Sequence, residues 1–375
     1  MQSDSFLYKF YYQWWKNIDK SIFLIITLLF TIGLFISLVS TSLIASDKLD
    51  TNSYFFFFKH LIYVFIGIFI IFIFSSINTD QLFKYSIILF FISLISLFLV
   101  PIVGIEVKGS KRWIDLFFLP RYQPIEVLKP FLIVMLASIL CSNRSSNLYF
   151  KYLISIILIS VISSLLIMQP DIGQTLLVVF SWAVLIFTSG INIFLLLGFV
   201  IFGLFFLIYL ITYVPKFDYI QGRIFSFFNK DSGTHNFQSD KAIESITSGG
   251  FFGKGIGEGT LKNRVPEAHT DYIISVISEE FGVVAIILIL LLFLVLIHMV
   301  FKKINFEKSE KTKLILIGCI SLILMQATIH VGVNIRLFPT TGMTLPFLSY
   351  GGSSIVSISI LSGIILNLTK RKINH

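Results

Sequence analysis

The sequence predicts an all-α integral membrane protein of about ten transmembrane helices, on three observations. Charged residues make up only 13% of the 375 residues, against about 25% in a soluble domain. The apolar runs are long and continuous, each near the ~20 residues that a bilayer requires of a helix. They do not alternate as barrel strands would, and only helices or closed barrels satisfy the backbone in lipid. The 41 Phe are spread through these runs and read as apolar filling.

The expected spans are 21–45, 55–77, 83–104, 125–142, 149–168, 172–190, 192–214, 271–300, 313–335 and 344–369. The fourth carries Lys129 and Pro130 and fits the pattern least well. Residues 1–20 are polar and aromatic, so they form a tail, and the first span is expected to remain as an uncleaved anchor. Lys9, Lys16 and Lys20, the lysines of 301–313, and Lys370, Arg371 and Lys372 all fall on one face. That face is expected to be cytoplasmic, with both termini. Two long segments, 105–124 and 215–270, are then large extracytoplasmic loops, made of short helices and turns at the membrane surface. Long loops in compact domains generally work or are disordered. No internal repeat or separate soluble domain is evident, so 1–375 reads as one polytopic domain.

The net charge of +9 does not call for nucleic acid, because basic residues flanking membrane helices give the same excess. Cys141 and Cys319 lie at or inside apolar segments and offer neither a disulfide framework nor metal-ligand spacing. There is no Walker motif, no nucleophile elbow and no haem pattern, so neither a nucleotide nor haem is expected.

The stretch 265–282 stands out. Glu267, His269 and Asp271 crowd the junction of a polar loop with an apolar helix, and Glu279 and Glu280 follow two turns on. Acids within a span are costly and mark function by default. The plainer reading makes Thr270 an N-cap and Asp271 a helix-end acid. Residues 108–115 set Lys108, Lys111 and Arg112 beside Trp113. They suit a headgroup anchor or a pyrophosphate cradle; the outward location favours the cradle. Gln123 and Pro124 open the fourth span, and Glu126 and Lys129 stand at i,i+3, close enough to pair. Pro170 and Gly173 mark a tight turn, with Asp171 left open as turn residue or site acid. The Gly-rich stretch 249–259 lacks the phosphate-loop form; close backbone approach to a substrate or the membrane is expected there. Small residues at Gly351, Gly352, Ser353 and Ser354 permit close helix packing or leave room for a polyprenyl chain. His298 and His330 lie alone in apolar spans and are expected to pack.

Taken in order, these motifs resemble the SEDS family of FtsW, RodA and SpoVE. The motifs are Lys-Arg-Trp-Ile at 111–114, Gln-Pro-x-Glu-x-x-Lys at 123–129, Gln-Pro-Asp-Ile-Gly at 169–173, Pro-Glu-Ala-His-Thr-Asp at 266–271, and Pro-Thr-Thr-Gly through Tyr-Gly-Gly-Ser-Ser at 339–354. The 266–271 form is more like the division member FtsW than the elongation member RodA. Two positions depart: His330 stands where Asn is common, and Arg336 where Gly is frequent.

The resemblance implies a peptidoglycan glycosyltransferase at the outer face of the bacterial cytoplasmic membrane, at the division septum. Its substrates would be lipid II and the undecaprenyl-pyrophosphate-linked glycan. Its partners would be a class B penicillin-binding protein and other divisome membrane proteins. Asp271 would be the catalytic carboxylate, as general base or as ligand of a divalent cation, Mg²⁺ or Mn²⁺. Lys111, Arg112 and Arg223 would meet the pyrophosphate. Trp113, Gln123, Glu126, Lys129, Glu267, His269 and Ser353 would complete the substrate-binding cavity. A lipid II flippase, an elongation polymerase and a non-catalytic division scaffold are the competing readings. A transporter would be expected to show broken helices repeated in two halves, and no such duplication is evident.

Overall fold

The computed structural model describes residues 6–49, 54–107, 110–116, 119–142, 147–214, 217–218, 221–222, 225, 227, 233–260, 265 and 267–370. It is mainly helical: α1 (Phe6–Asn17), α2 (Lys20–Leu49), α3 (Phe55–Ser76), α4 (Thr79–Val103), α5 (Pro124–Leu140), α6 (Leu148–Met168), α7 (Ile172–Thr188), α8 (Ile193–Tyr213), α9 (Gly233–Gly249), α10 (Ile273–Phe306), α11 (Glu310–Asn334) and α12 (Gly352–Leu368). Among the described residues seven helices are long and apolar enough to cross a membrane: α2 over Lys20–Ser40, α3, α4, α6, α8, α10 and α11; α7 and α12 are apolar but shorter. The chain is therefore a multi-pass membrane protein.

The fold is not purely helical. Residues 105–122 form an antiparallel sheet in the order β1 (Ile105–Val107), β2 (Ser110–Leu116), β3 (Leu119–Tyr122). Glu106 opposes Lys111 and Ile114 opposes Tyr122. The sheet packs on α4 and α5, which gives its short, charge-rich strands a surface they cannot supply alone. The second long segment also departs from short helices and turns, since α9 has 17 residues and packs along α10. The tail holds α1, whose Trp14 donates to Ser75 Oγ at 2.8 Å.

Helix α5 lies at the centre, against α4, α6, α7, α11 and α12. Nearly all its side chains are buried, including Glu126 and Lys129. Its charges pair inside the protein, which explains why the least regular of the expected spans is the innermost helix. The two ends of the bundle differ in chemistry. At one end Asp19 pairs with Lys303 at 2.7 Å, Thr79 Oγ1 donates to Asn367 at 3.2 Å, and Lys370 donates to the Ile77 carbonyl at 3.1 Å. The opposite end carries the sheet, α9 and the connection 335–351.

Candidate active site

Asp271 lies two residues ahead of α10, in a turned segment that begins at Glu267. Thr270 is not the cap: its hydroxyl donates back to the Glu267 carbonyl and to Glu267 Oε2, both at 3.2 Å, and the N-cap residue is Tyr272. Glu267 holds a left-handed backbone (φ 57°), and its carbonyl accepts from the Thr270, Asp271 and Tyr272 amides. Asn334 Nδ2, at the end of α11, donates to the Asp271 carbonyl at 3.1 Å. The carboxylate is half-buried and faces Gly342, where an added Cβ would stand 3.6 Å from Oδ2.

The connection 335–351 wraps this acid. Ser349 Oγ donates to the Thr270 carbonyl at 2.7 Å, and the Tyr350 amide donates to the His269 carbonyl at 3.1 Å. The His269 ring lies 4.6 Å from Phe56 and 5.9 Å from Tyr350, an aromatic wall that holds it against α3. His330 packs as expected and fixes the connection through Nδ1, 2.7 Å from the Met343 carbonyl. Arg336 explains its own position: its φ of 57° is the left-handed region that glycine enters freely, and here its guanidinium is bonded to Asp240 of α9.

A chain of buried polar side chains runs beneath. Lys129 Nζ is 2.9 Å from Glu126 Oε1 and 3.4 Å from Gln326 Oε1. Gln174 Nε2 donates to Glu126 at 2.5 Å, and Gln326 Nε2 donates to the Thr344 carbonyl at 3.0 Å. Thr344 and Ser354 hydroxyls meet at 2.6 Å. Thus α5, α7 and α11 hold the connection from below through linked polar side chains.

The expected 169–173 turn forms, with Asp171 as the N-cap of α7. It is 2% exposed. Its carboxylate accepts from Gln123 Nε2 at 2.9 Å and from the Gln174 amide at 3.3 Å, with Arg112 Nε at 3.8 Å. Burial lifts the Asp171 carboxyl above its ordinary range, and the Arg112 guanidinium pulls the other way. Arg112 also donates to the Gln169 and Pro170 carbonyls, which ties β2 to the α6–α7 turn. Lys111 stays exposed beside it, and Trp113 is half-buried opposite Ile105. Ser353 Oγ accepts from the Gln123 amide at 3.0 Å. A Cβ on Gly352 would meet the Tyr63 ring at 2.5 Å, so this glycine serves close packing of α12 on α3.

The two acids inside α10 have another use. Lys254 Nζ reaches Glu279 at 3.3 Å, Ser245 Oγ donates to Glu279 at 3.0 Å, and the Gly257 amide donates to Glu280 at 2.5 Å. The Gly-rich loop closes on its own helix: Lys254 and Gly255 amides donate to the Glu279 and Glu280 carbonyls, and the Val283 and Val284 amides to the Gly250 and Phe251 carbonyls. Helix α10 breaks there, at Gly282 (φ 79°). The close backbone approach that these glycines permit in the structure is to α10.

A cell cycle protein family model, that of FtsW, RodA and SpoVE, matches residues 19–374. The chain belongs to this family. Among its relatives, a probable peptidoglycan glycosyltransferase FtsW of Caulobacter vibrioides is 30% identical over 96% of this chain and 91% of its own length. Stage V sporulation protein E of Bacillus subtilis is 33% identical over 94% and 97%. In fold, the chain resembles Thermus thermophilus rod shape determining protein RodA (TM-score 0.69, 26% identity, 95% and 97% covered). It also resembles a chain of a peptidoglycan synthase complex (TM-score 0.73, 24% identity, 94% and 97% covered).

The FtsW/RodA/SpoVE motifs converge at the sheet-bearing end. The 169–173 turn meets the 339–354 connection, where a Cβ on Gly173 would touch Thr341 at 2.8 Å, and that connection meets Asp271. Arg223 lies outside the described residues, as do Lys108, Phe117, Phe118, Pro266, Arg371 and Lys372. Sequence reasoning passed over Gln326, Asn334 and Thr344, which hold the connection in place. A polar side chain at helical spacing inside an apolar run, as at 326, 330 and 334, is the signal that marks two of them. Among the described residues no three His, Cys, Asp or Glu side chains converge as a metal cage. The carboxylate of Asp271 is a hard oxygen donor, of the kind that Mg²⁺ or Mn²⁺ takes alongside phosphate oxygens.

Proposed function

We propose that this member of the family is a peptidoglycan glycosyltransferase that polymerises lipid II during cell division, with Asp271 as its central carboxylate. The orientation of Asp271 carries the reading: a half-buried acid fixed through its backbone, with Oδ2 turned toward Gly342 at the end of the bundle that holds the sheet and α9. In the proposed reaction the 4-hydroxyl of lipid II attacks the anomeric carbon of the growing glycan. The bond from that carbon to the undecaprenyl pyrophosphate oxygen breaks, and the hydroxyl proton passes to the Asp271 carboxylate. Lys111, with Arg223, meets the leaving pyrophosphate. Arg112 keeps donors beyond those spent on the α6–α7 turn, and it both holds the turn and faces the phosphate. Trp113, Gln123, Ser353, His269 and Glu267 line the approach, and Glu126 with Lys129 supports it from beneath. In the alternative role, Asp271 would hold a divalent cation, Mg²⁺ or Mn²⁺, that would offset charge on the phosphates, in place of taking the proton.

In this reading the chain crosses ten times, through α2 to α8 and α10 to α12, with both termini in the cytoplasm and the sheet and α9 outside. The whole chain then forms one polytopic domain in the bacterial cytoplasmic membrane at the septum. The solved relative in a peptidoglycan synthase complex supports a class B penicillin-binding protein as partner, within the divisome.

The test is a gel of products from purified protein and lipid II. Asp271→Asn is expected to abolish polymer while the protein keeps its fold and partner binding. Polymer at the wild-type rate from that variant removes Asp271 from the chemistry. Leaflet exchange of lipid II in liposomes, without polymer from the wild type, replaces the enzyme with a transporter.

A further inference from the structure

We propose that the loop 250–257 is a lipid anchor, with Phe251, Phe252 and Ile256 seated in the acyl boundary of the leaflet on the Asp271 side. The first observation is the position of the α10 break. Helix α10 is 34 residues long, well beyond the ~20 that a bilayer core needs. Lys302 and Lys303 mark one end of its crossing, so the twenty residues before them, 282–301, fill the hydrocarbon. Exposure agrees. Ile273–Glu280 are all buried in protein, whereas Val284, Ile287, Leu288, Leu291 and Leu294 form an exposed stripe at helical spacing. The hydrocarbon boundary therefore falls at Gly282, where the Gly-rich loop is bonded.

The second observation is what the loop presents. Phe251, Phe252 and Ile256 are 76%, 83% and 65% exposed. The Phe251 carbonyl accepts from Val284, the first residue of the stripe, so these side chains continue the lipid-facing surface. The third is that most of the loop's amides are bonded within the protein. Amides of Gly253, Lys254, Gly255, Gly257 and Glu258 all donate within the protein, the Gly250 and Phe251 carbonyls accept from α10, and Lys254 is neutralised by Glu279. Non-helical backbone is tolerated at membrane depth only when protein satisfies it in this way. Gly250, Gly253, Gly255 and Gly257 all have positive φ, which lets so short a loop turn its carbonyls and amides inward while three apolar side chains point out.

The experiment is nitroxide depth measurement on full-length protein in phosphatidylcholine–phosphatidylglycerol vesicles, with Cys141→Ser and Cys319→Ala as background. Labels are placed by Phe252→Cys and Ile256→Cys, with Leu288→Cys as lipid reference and Lys308→Cys as water reference. The oxygen-to-nickel-chelate accessibility ratio at 252 and 256 is expected to exceed that at 308 several-fold and to lie between it and the ratio at 288, which sits about 9 Å deeper. A ratio equal to that at 308 places the loop in water and overturns the proposal. Low access to both probes at 252 and 256 also overturns it, in favour of a protein contact. The measurement needs no substrate, so it stands or falls apart from the role of Asp271.

Discussion

Replacing Lys129 alone should damage this protein more than replacing Lys129 and Glu126 together. Lys129 is 0% exposed and Glu126 4%, and they meet at 2.9 Å. Lys129→Met leaves the Glu126 charge buried with one amide donor, Gln174. Breaking a buried pair from one side costs about 3–5 kcal/mol. Adding Glu126→Leu removes that stranded charge. What remains is the lost acceptor of Gln174 and the lost donor to Gln326, roughly 1 kcal/mol each. The double variant should thus sit about 2 kcal/mol below wild type, and Lys129→Met roughly 1–3 kcal/mol lower still. Equilibrium unfolding in mixed micelles, titrated with a denaturing detergent, reads both. If the single variant is as stable as the double one, the charges are not coupled as the geometry requires.

Three further outcomes follow from particular residues. Gly253 has φ 77° and a Cβ there would run into the Glu280 carbonyl, whereas Gly257 has φ 85° and open space; Gly253→Ala should release the loop, read as fast amide exchange at Lys254 and Gly255, and Gly257→Ala should not. Arg336→Gly removes left-handed strain of roughly 1–2 kcal/mol and a part-exposed ion pair of about 0.2–1 kcal/mol. It should leave the protein as stable or slightly more so, while Asp240→Asn lowers stability; loss of stability in Arg336→Gly refutes the strain. Asp171 titrates above its unfolded value of 3.8 because it is buried. Its contribution to stability is therefore full below that value and lost as pH rises through the raised one. Arg112→Gln removes the opposing cation, so the loss should extend to higher pH, and Asp171→Asn should erase it; an unchanged pH profile in Asp171→Asn would sink the assignment.

The helices were legible because a bilayer imposes length and polarity on them: a helix stands within each expected span, but among the described residues only seven are long and apolar enough to cross, and α12 begins at Gly352 and not at 344. The sheet was not. Lys111, Arg112 and Trp113 lie in a seven-residue strand that shows no alternation of apolar and polar, because α4, α5 and the 169–171 turn hold it rather than its own pattern. Helix α9 was hidden by its polarity and takes its surface from α10. Asp271 and its neighbours were legible as a cluster of costly groups. Glu279 and Glu280 showed the same signal, but their partners come from residues 245–257, a pairing that spacing within α10 cannot reveal.

The discontinuity at Gly282 separates two jobs that a continuous rod would have fused. A bilayer that thickens or thins re-tilts the spanning portion of a helix. In an unbroken α10 that swing would carry Asp271 with it. Here the portion before Gly282 is bonded to α9, and the residues just ahead of it to the 335–351 connection, while the Gly-rich loop holds both sides of the break, through the Glu279 and Glu280 carbonyls before it and the Val283 and Val284 amides after it. The station of the carboxylate is set by the protein packed around it, through Asn334, Ser349 and Tyr350, and not by the axis of the spanning portion alone.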